Sequence, residues 1–185
     1  MPPILLASSS PTRAKILHDA GIEFIQKSVD FDEESIVAAT PKEFVYLATL
    51  GKYKKNLQHF GIQENPLLVA DTVVTCDNKI VRKAKTEEEA RRMLLEQSGN
   101  TTSIITCMIF HSKELQLTDI SATHYTFREF SHNELEKYLE SGEWQGKAGG
   151  CMVEGFCKQY IASTKGQQST AMGLHVELLQ RFLTV

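Results

Sequence analysis

The sequence predicts an α/β fold, a mixed twisted sheet flanked by helices, and three observations carry that prediction. Short apolar runs alternate with segments of helical periodicity. Ser, Thr and Pro open those segments, and glycines close them. Several neighbouring strand signals have no helix between them, which makes the sheet mixed rather than purely parallel. A length of 185 residues fits one domain spanning 1–185, or one made of two coupled lobes. The hydrophobic share of 42% and charged share of 23% exclude a disordered chain, a fibrous repeat and a membrane class.

The elements follow in order. Ile4 to Ala7 is a buried strand, and Ser8-Ser9-Ser10-Pro11 opens a helix through Arg13, Ile16, Leu17 and Ala20 that stops at Gly21. Ile22 to Ser28 alternates as a half-buried strand and leads into the acidic turn Asp30-Phe31-Asp32-Glu33-Glu34. Thr40 caps a second helix, with Pro41 at its first position and Phe44, Leu47 and Leu50 as its stripe; the basic residues Lys52, Lys54 and Lys55 follow. Pro66 to Val74 is a buried strand interrupted by Asp71, and Asp77-Asn78-Lys79 turns it into Ile80-Val81. Thr86 caps a helix that ends before Gly99, and strands are expected at Thr102 to Phe110 and Ser121 to Phe130. Ser131 and Glu134 form a capping box for the next helix, which stops near Gly142. Gly146 to Gly150 is too glycine-rich for a regular element, and an amphipathic helix closes the chain at about Val176 to Leu183.

A formal net charge of −3 leaves no overall field for nucleic acid, so no nucleic-acid partner is expected. No apolar run reaches the length of a membrane span, and the start lacks the basic region of a signal peptide, so a cytoplasmic protein is expected. Cys76, Cys107, Cys151 and Cys157 form no CxxC pair and are expected as reduced, mostly buried thiols. The histidines show no zinc spacing, and no G-x-S-x-G elbow supports Ser/His/Asp hydrolysis.

Asp71 carries the most information, because a carboxylate inside an apolar strand must sit at a strand end or face a polar cleft. There it can bind a divalent metal or take a proton from an attacking water; equally, it can cap a turn or pair with a lysine. The Ser8 to Arg13 segment offers hydroxyls, helix N–H groups and a guanidinium to an anion, and reads also as a plain N-cap with a solvated arginine. Lys52 and Lys83 are cations able to neutralise phosphate oxygens or simply surface lysines. The Lys147-Ala148-Gly149-Gly150 loop followed by Glu154 allows close backbone approach to a ligand, and reads equally as an ordinary hairpin.

Taken together, Leu6 to Arg13, Ala70 to Val74, Lys83 before a helix ending in Ser98-Gly99, and Ser141-Gly142-Glu143 leading to Lys147 to Gly150 resemble the Maf family nearly end to end. The resemblance implies a Maf/Ham1 (ITPase-like) architecture with a central cleft. It implies a pyrophosphatase cleaving nucleoside triphosphates between the α and β phosphates, dependence on a divalent cation (Mg, Mn or Co), and often a homodimer. By matched position, Asp71 falls on the catalytic acidic residue, expected to accept the proton of the attacking water. Ser8, Ser10, Arg13, Lys52 and Lys83 fall on the phosphate-contacting set, and Thr12, Thr72 and Glu154 on positions that discriminate substrates. Glu33 is a further candidate, with Asp71, for the metal.

This chain departs from the family where specificity is set. Members acting on dTTP or UTP usually carry Arg-Arg after Ser-Pro and a later Gln; members acting on 7-methyl-GTP carry Glu there and a bulky aromatic at the earlier position. Thr12 with Glu154 fits neither, which tilts the choice slightly to a purine or modified purine and leaves the base open. Gly146 and His175 replace an acidic residue and a proline usual in the family. The alternative function is a non-catalytic nucleotide-binding regulator of cell division.

Overall fold

The computed structural model describes residues 2–33 and 35–183. Its elements are β1 (Ile4–Leu6), α1 (Pro11–Asp19), β2 (Phe24–Gln26), α2 (Pro41–Phe60), β3 (Leu67–Cys76), β4 (Lys79–Val81) and α3 (Glu87–Gln97). They continue as β5 (Thr101–His111), β6 (Gln116–Phe127), α4 (His132–Glu140), a short 3-10 helix at Phe156–Tyr160, β7 (Ile161–Lys165), α5 (Gln168–Ala171) and α6 (Val176–Leu183). The strands hydrogen-bond in the order β2-β1-β3-β5-β6-β7, with β4 on β3. Parallel pairing of β1 with β2 and β3, and antiparallel pairing of β3 with β4 and β6 with β7, make the sheet mixed as expected. The chain falls into two compact units, one of Met1–Thr72, Ile105–Ala122 and Gln167–Val185, the other of Val73–Ile104 and Thr123–Gly166.

In the first unit, strand alternation sorts the core onto two faces. Ile4, Leu6, Leu68, Ala70, Met108 and Phe110 pack with Ile16 and Leu17 of α1 and Val176 and Leu179 of α6. Leu5, Ala7, Leu67, Val69 and Ile109 pack on the opposite side with Tyr53 of α2. A fully buried leucine contributes roughly 1.5–3 kcal/mol relative to exposure, so the two clusters hold α1 and α2 firmly against the strands.

The second unit opens with a tight hairpin at Asp77 and Asn78, whose φ values of 47° and 58° are those the right-handed strand twist favours between β3 and β4. Its core includes a chain of aromatic contacts among Phe127, Phe130, Tyr138, Phe156 and Tyr160. Arg91 of α3 pairs with Glu87 and with Glu136 of α4.

Several expectations are corrected. The basic residues Lys52, Lys54 and Lys55 do not follow the second helix but lie within it, since it continues to Phe60 with Tyr53 and Asn56 extending its buried stripe. Ser131 makes no side-chain cap; its N–H donates to Tyr160 Oη at 3.2 Å, and Tyr160 donates to Glu134, so the tyrosine replaces the capping box. The strand expected at Ser121 to Phe130 is shifted to Gln116–Phe127. Cys151 and Cys157 are joined as a disulfide rather than reduced, while Cys76 and Cys107 are free and buried. Burial pushes the Cys107 thiol up to about 11, which leaves it an inert packing group.

Candidate active site

The register of the parallel strands explains how a carboxylate survives inside β3. β1 pairs with β3 only at Leu5 with Leu67 and Leu6 with Leu68, and the last link is the Ala7 N–H to Leu68 O bond at 2.8 Å. Beyond Leu68 the strand runs past the end of β1, so Asp71 and Thr72 stand level with the turn that follows β1 rather than beside another strand there. Carboxyl ends of parallel strands are where open α/β sheets place their ligands.

Alternation then sends the two residues to opposite helices. Asp71 shares the parity of Leu67 and Val69 and faces α2, where its Oδ1 accepts from Lys52 Nζ at 2.6 Å. Lys52 also pairs with Glu33 Oε1 at 2.5 Å, so one ammonium bridges two carboxylates. Thr72 shares the parity of Leu68 and Ala70 and faces α1, where its hydroxyl accepts from Arg13 Nη2 at 3.1 Å.

Arg13 is held on three sides by neutral oxygens. Nη1 donates to Ser8 Oγ at 3.0 Å, Nη2 to Thr72, and Nε to the Gly173 carbonyl at 2.9 Å. The hydroxyl chain behind it has a fixed direction. Thr106 donates to Thr170 O at 2.7 Å, so it accepts from Thr72, 2.9 Å away, which in turn accepts from Arg13. Gly173 has φ 107°, and a Cβ there would lie 3.2 Å from Arg13 Nε, so only glycine presents this carbonyl without strain. Ser10 serves as N-cap of α1, its Oγ accepting from the Arg13 N–H at 3.3 Å. Gln26 donates to the carbonyls of Ser8 and Ser10 and pins the turn.

A polar cavity of about 270 Å³ is lined by residues that include Ser8, Ser9, Ser10, Arg13, Glu33 and Lys52. Burial raises the pKa of Asp71; the charge and hydrogen bond of Lys52 oppose that rise, Glu33 adds to it and Arg13 opposes it. Burial lowers the pKa of Arg13 while Asp71 and Glu33 act to raise it, and a guanidinium keeps its charge through such changes. The donor set suits a hard divalent cation. Glu33 and Asp71 both reach the Lys52 ammonium, and magnesium takes one or two carboxylates with phosphates and waters as the remainder. Among the described residues no cluster of three or more His, Cys, Asp or Glu side chains forms a self-sufficient metal site.

Of the residues singled out in the sequence, Ser8, Ser10, Arg13, Glu33, Lys52, Asp71 and Thr72 are thus brought together in the first unit. Thr12 is exposed on α1. Lys83 and Glu154 belong to the second unit. There Lys83 is exposed and its backbone bridges that of Ala148, so it sits beside the glycine-rich loop. That loop is fixed by Gln97 donating to Gly149 O at 2.7 Å and Tyr138 to Gly150 O at 3.0 Å, and burial pushes the Tyr138 phenol up to about 12. Glu154 is exposed within the segment closed by the Cys151–Cys157 disulfide.

A family model described as Maf-like protein matches residues 3–185. The chain belongs to the Maf-like family. It is 54% identical over 178 residues to a nucleoside triphosphate pyrophosphatase of Nitratiruptor sp., covering 95% of this chain and 96% of that one. It is 42% identical to a protein of the same name from Helicobacter pylori J99, over 94% and 91% of the two chains. A third so named, from Campylobacter jejuni, is 37% identical over 97% of this chain and all of its own.

Other residues of this Maf-like site had no signal of their own in the sequence. Thr106, Thr170 and Gly173 meet Arg13 and Thr72 only because distant segments converge. One cluster that imitates a hydrolytic triad is not one. Ser121 Oγ and Asp119 Oδ2 both approach Nδ1 of His175, at 2.9 and 3.0 Å, whereas a proton relay uses the two ring nitrogens separately. Among the described residues no helix is long and apolar enough to cross a membrane.

Proposed function

We propose that this Maf-like chain is a nucleoside triphosphate pyrophosphatase in which Asp71 is the general base and Arg13, Lys52 and Lys83 hold phosphates. The observation that carries the roles of Arg13 and Lys52 is the cavity whose wall joins them to the Ser8–Ser10 turn, and Asp71 is bonded to that Lys52; Lys83 is assigned by its matched position in the family alone. Three neutral acceptors orient the Arg13 guanidinium without cancelling its charge, which makes it a preorganised anion site. The Ser8–Ser10 turn at the N-terminus of α1 adds a partial positive charge and hydroxyls for the same phosphates.

As the triphosphate enters, Lys52 exchanges a carboxylate for phosphate oxygens. Asp71 then loses the contact that holds its pKa down and becomes a stronger proton acceptor. A water positioned by Asp71 gives it a proton as its oxygen bonds the α phosphorus. The bond from the α phosphorus to the bridging oxygen breaks, and that oxygen leaves on pyrophosphate with the electron pair. A divalent cation (Mg, Mn or Co), held by Asp71 and Glu33, would neutralise charge on the phosphate chain. Thr12, Thr72 and Glu154 fall at the specificity positions, with Thr72 also orienting Arg13. The substrate is a purine or modified-purine triphosphate on this reading. The setting is a cytoplasm and the assembly a homodimer; the Cys151–Cys157 bond is the one feature that pulls against a reducing compartment.

A panel of standard and modified nucleoside triphosphates, incubated with Mg, Mn or Co and assayed separately for pyrophosphate and inorganic phosphate, tests this. Pyrophosphate and the monophosphate are the expected products. Triphosphate binding with no product from any member of the panel would return the chain to the class of nucleotide-binding regulators.

A further inference from the structure

A glycine inside a helix weakens it relative to alanine, so Gly51 in the interior of α2 requires a reason. The reason lies in the segment between β2 and α2. A Cβ on Gly51 would lie 2.2 Å from Phe31 Cζ, and 2.6 and 2.8 Å from the adjacent ring carbons. The tip of the Phe31 ring therefore rests on the bare helix backbone, one residue before Lys52. The absence of a side chain at 51 creates the seat.

Alternate residues of this segment touch α2. The Val29 N–H donates to Asn56 Oδ1 at 3.0 Å, Phe31 sits on Gly51, and Glu33 pairs with Lys52 at 2.5 Å. The segment is thus laid along the helix like a strand, with odd-numbered residues inward. Phe31 and Glu33 both line the cavity. Since no helix or strand confines residues 27 to 33 after β2 ends, the reach of Glu33 towards Lys52 is set by where the ring two positions earlier comes to rest.

We propose that Phe31, seated on Gly51, is a positioning residue that sets where Glu33 meets Lys52 and thereby the geometry of the phosphate site. The proposal rests on the pyrophosphatase reading. Phe31 itself takes no part in the chemistry, and the pair Gly51 and Phe31 acts through Glu33.

The test measures pyrophosphate release with magnesium for Gly51→Ala, Phe31→Ala, Glu33→Gln, the double variant Gly51→Ala/Glu33→Gln and the swap Phe31→Leu/Gly51→Ala, alongside thermal melting. Misplacement of a reacting group by an ångström costs about 10²-fold, so Gly51→Ala and Phe31→Ala each lower kcat by up to about that factor. Gly51→Ala adds no further loss once Glu33 is glutamine, because the two act through one contact. The swap recovers most of the rate, since the shorter leucine leaves room for the alanine methyl. Wild-type kcat in Phe31→Ala would overturn the proposal, as would an independent, multiplicative loss in the Glu33→Gln background. Should Gly51→Ala fail to fold, Phe31→Ala and the swap decide between these outcomes. A wild-type protein that releases no pyrophosphate would defeat the pyrophosphatase reading itself. A wild type that does so, loses it in Asp71→Asn and ignores changes at Phe31 would defeat the present proposal alone.

Discussion

Arg13 and Lys52 line one cavity but are held in opposite ways. Arg13 meets two hydroxyls and a carbonyl, while Lys52 meets two carboxylates. A cation whose partners are neutral keeps its full attraction for an incoming anion and gives up little when the anion binds. A cation shared by two carboxylates must release at least one of them, and the released group changes its proton affinity. In the proposed mechanism the difference divides the work between an arginine that holds phosphate and a lysine whose movement couples phosphate binding to the basicity of Asp71.

Arg13→Lys gives the largest expected loss on the arginine side. It keeps the charge but not the fork that fits three acceptors, and kcat/KM is expected to fall about 10²- to 10³-fold, as when an oriented charge-stabilising donor is removed. A fall of only a few-fold would mean that charge without orientation suffices. Thr72→Val comes next. It leaves Arg13 Nη2 and the buried Thr106 hydroxyl each short of a partner, and denaturant melting is expected to show a loss of about 1–3 kcal/mol.

The lysine side predicts two small shifts of opposite sign. The acid limb of kcat/KM reports the proton acceptor of the free enzyme, and it should lie above the ordinary carboxylate range because burial raises the Asp71 pKa. Lys52→Met removes the group that opposes the rise and should move that limb to higher pH; Glu33→Gln removes a like charge and should move it lower. The same raised pKa makes folding favour protonated Asp71. Its contribution to stability therefore falls as pH climbs from the ordinary carboxylate value through the raised one. Melting profiles of wild type against Asp71→Asn across that window check the sign.

What the sequence made legible was whatever periodicity or capping encodes locally. The strand around Asp71, the Thr40 and Thr86 caps and the closing helix all stand where their patterns put them. That Asp71 needs a strand end, a polar cleft or a lysine partner was also readable, because burying it otherwise is too costly, and the partner it has is Lys52. Its position in mid-strand was not, since that depends on β1 ending early. The apolar stripe that places Lys52 after the helix is clear only to Leu50, and the continuation through Tyr53 and Asn56 breaks apolar character at an asparagine that the fold satisfies with Val29. β7 has no signature in the sequence because Ile161 to Lys165 is mostly exposed and carries no alternation. The Arg13 network depends on segments that meet only in the folded chain, and the disulfide joins two cysteines six residues apart that form no familiar motif.

In the proposed mechanism everything turns on Asp71 taking the proton from the attacking water. Pyrophosphate release by Asp71→Asn, measured beside its affinity for the same triphosphate, tests it most directly. Loss of a general base costs typically 10²- to 10⁴-fold, so release is expected to fall by about that range while triphosphate still binds. Release within a few-fold of wild type by a folded Asp71→Asn protein would contradict the account.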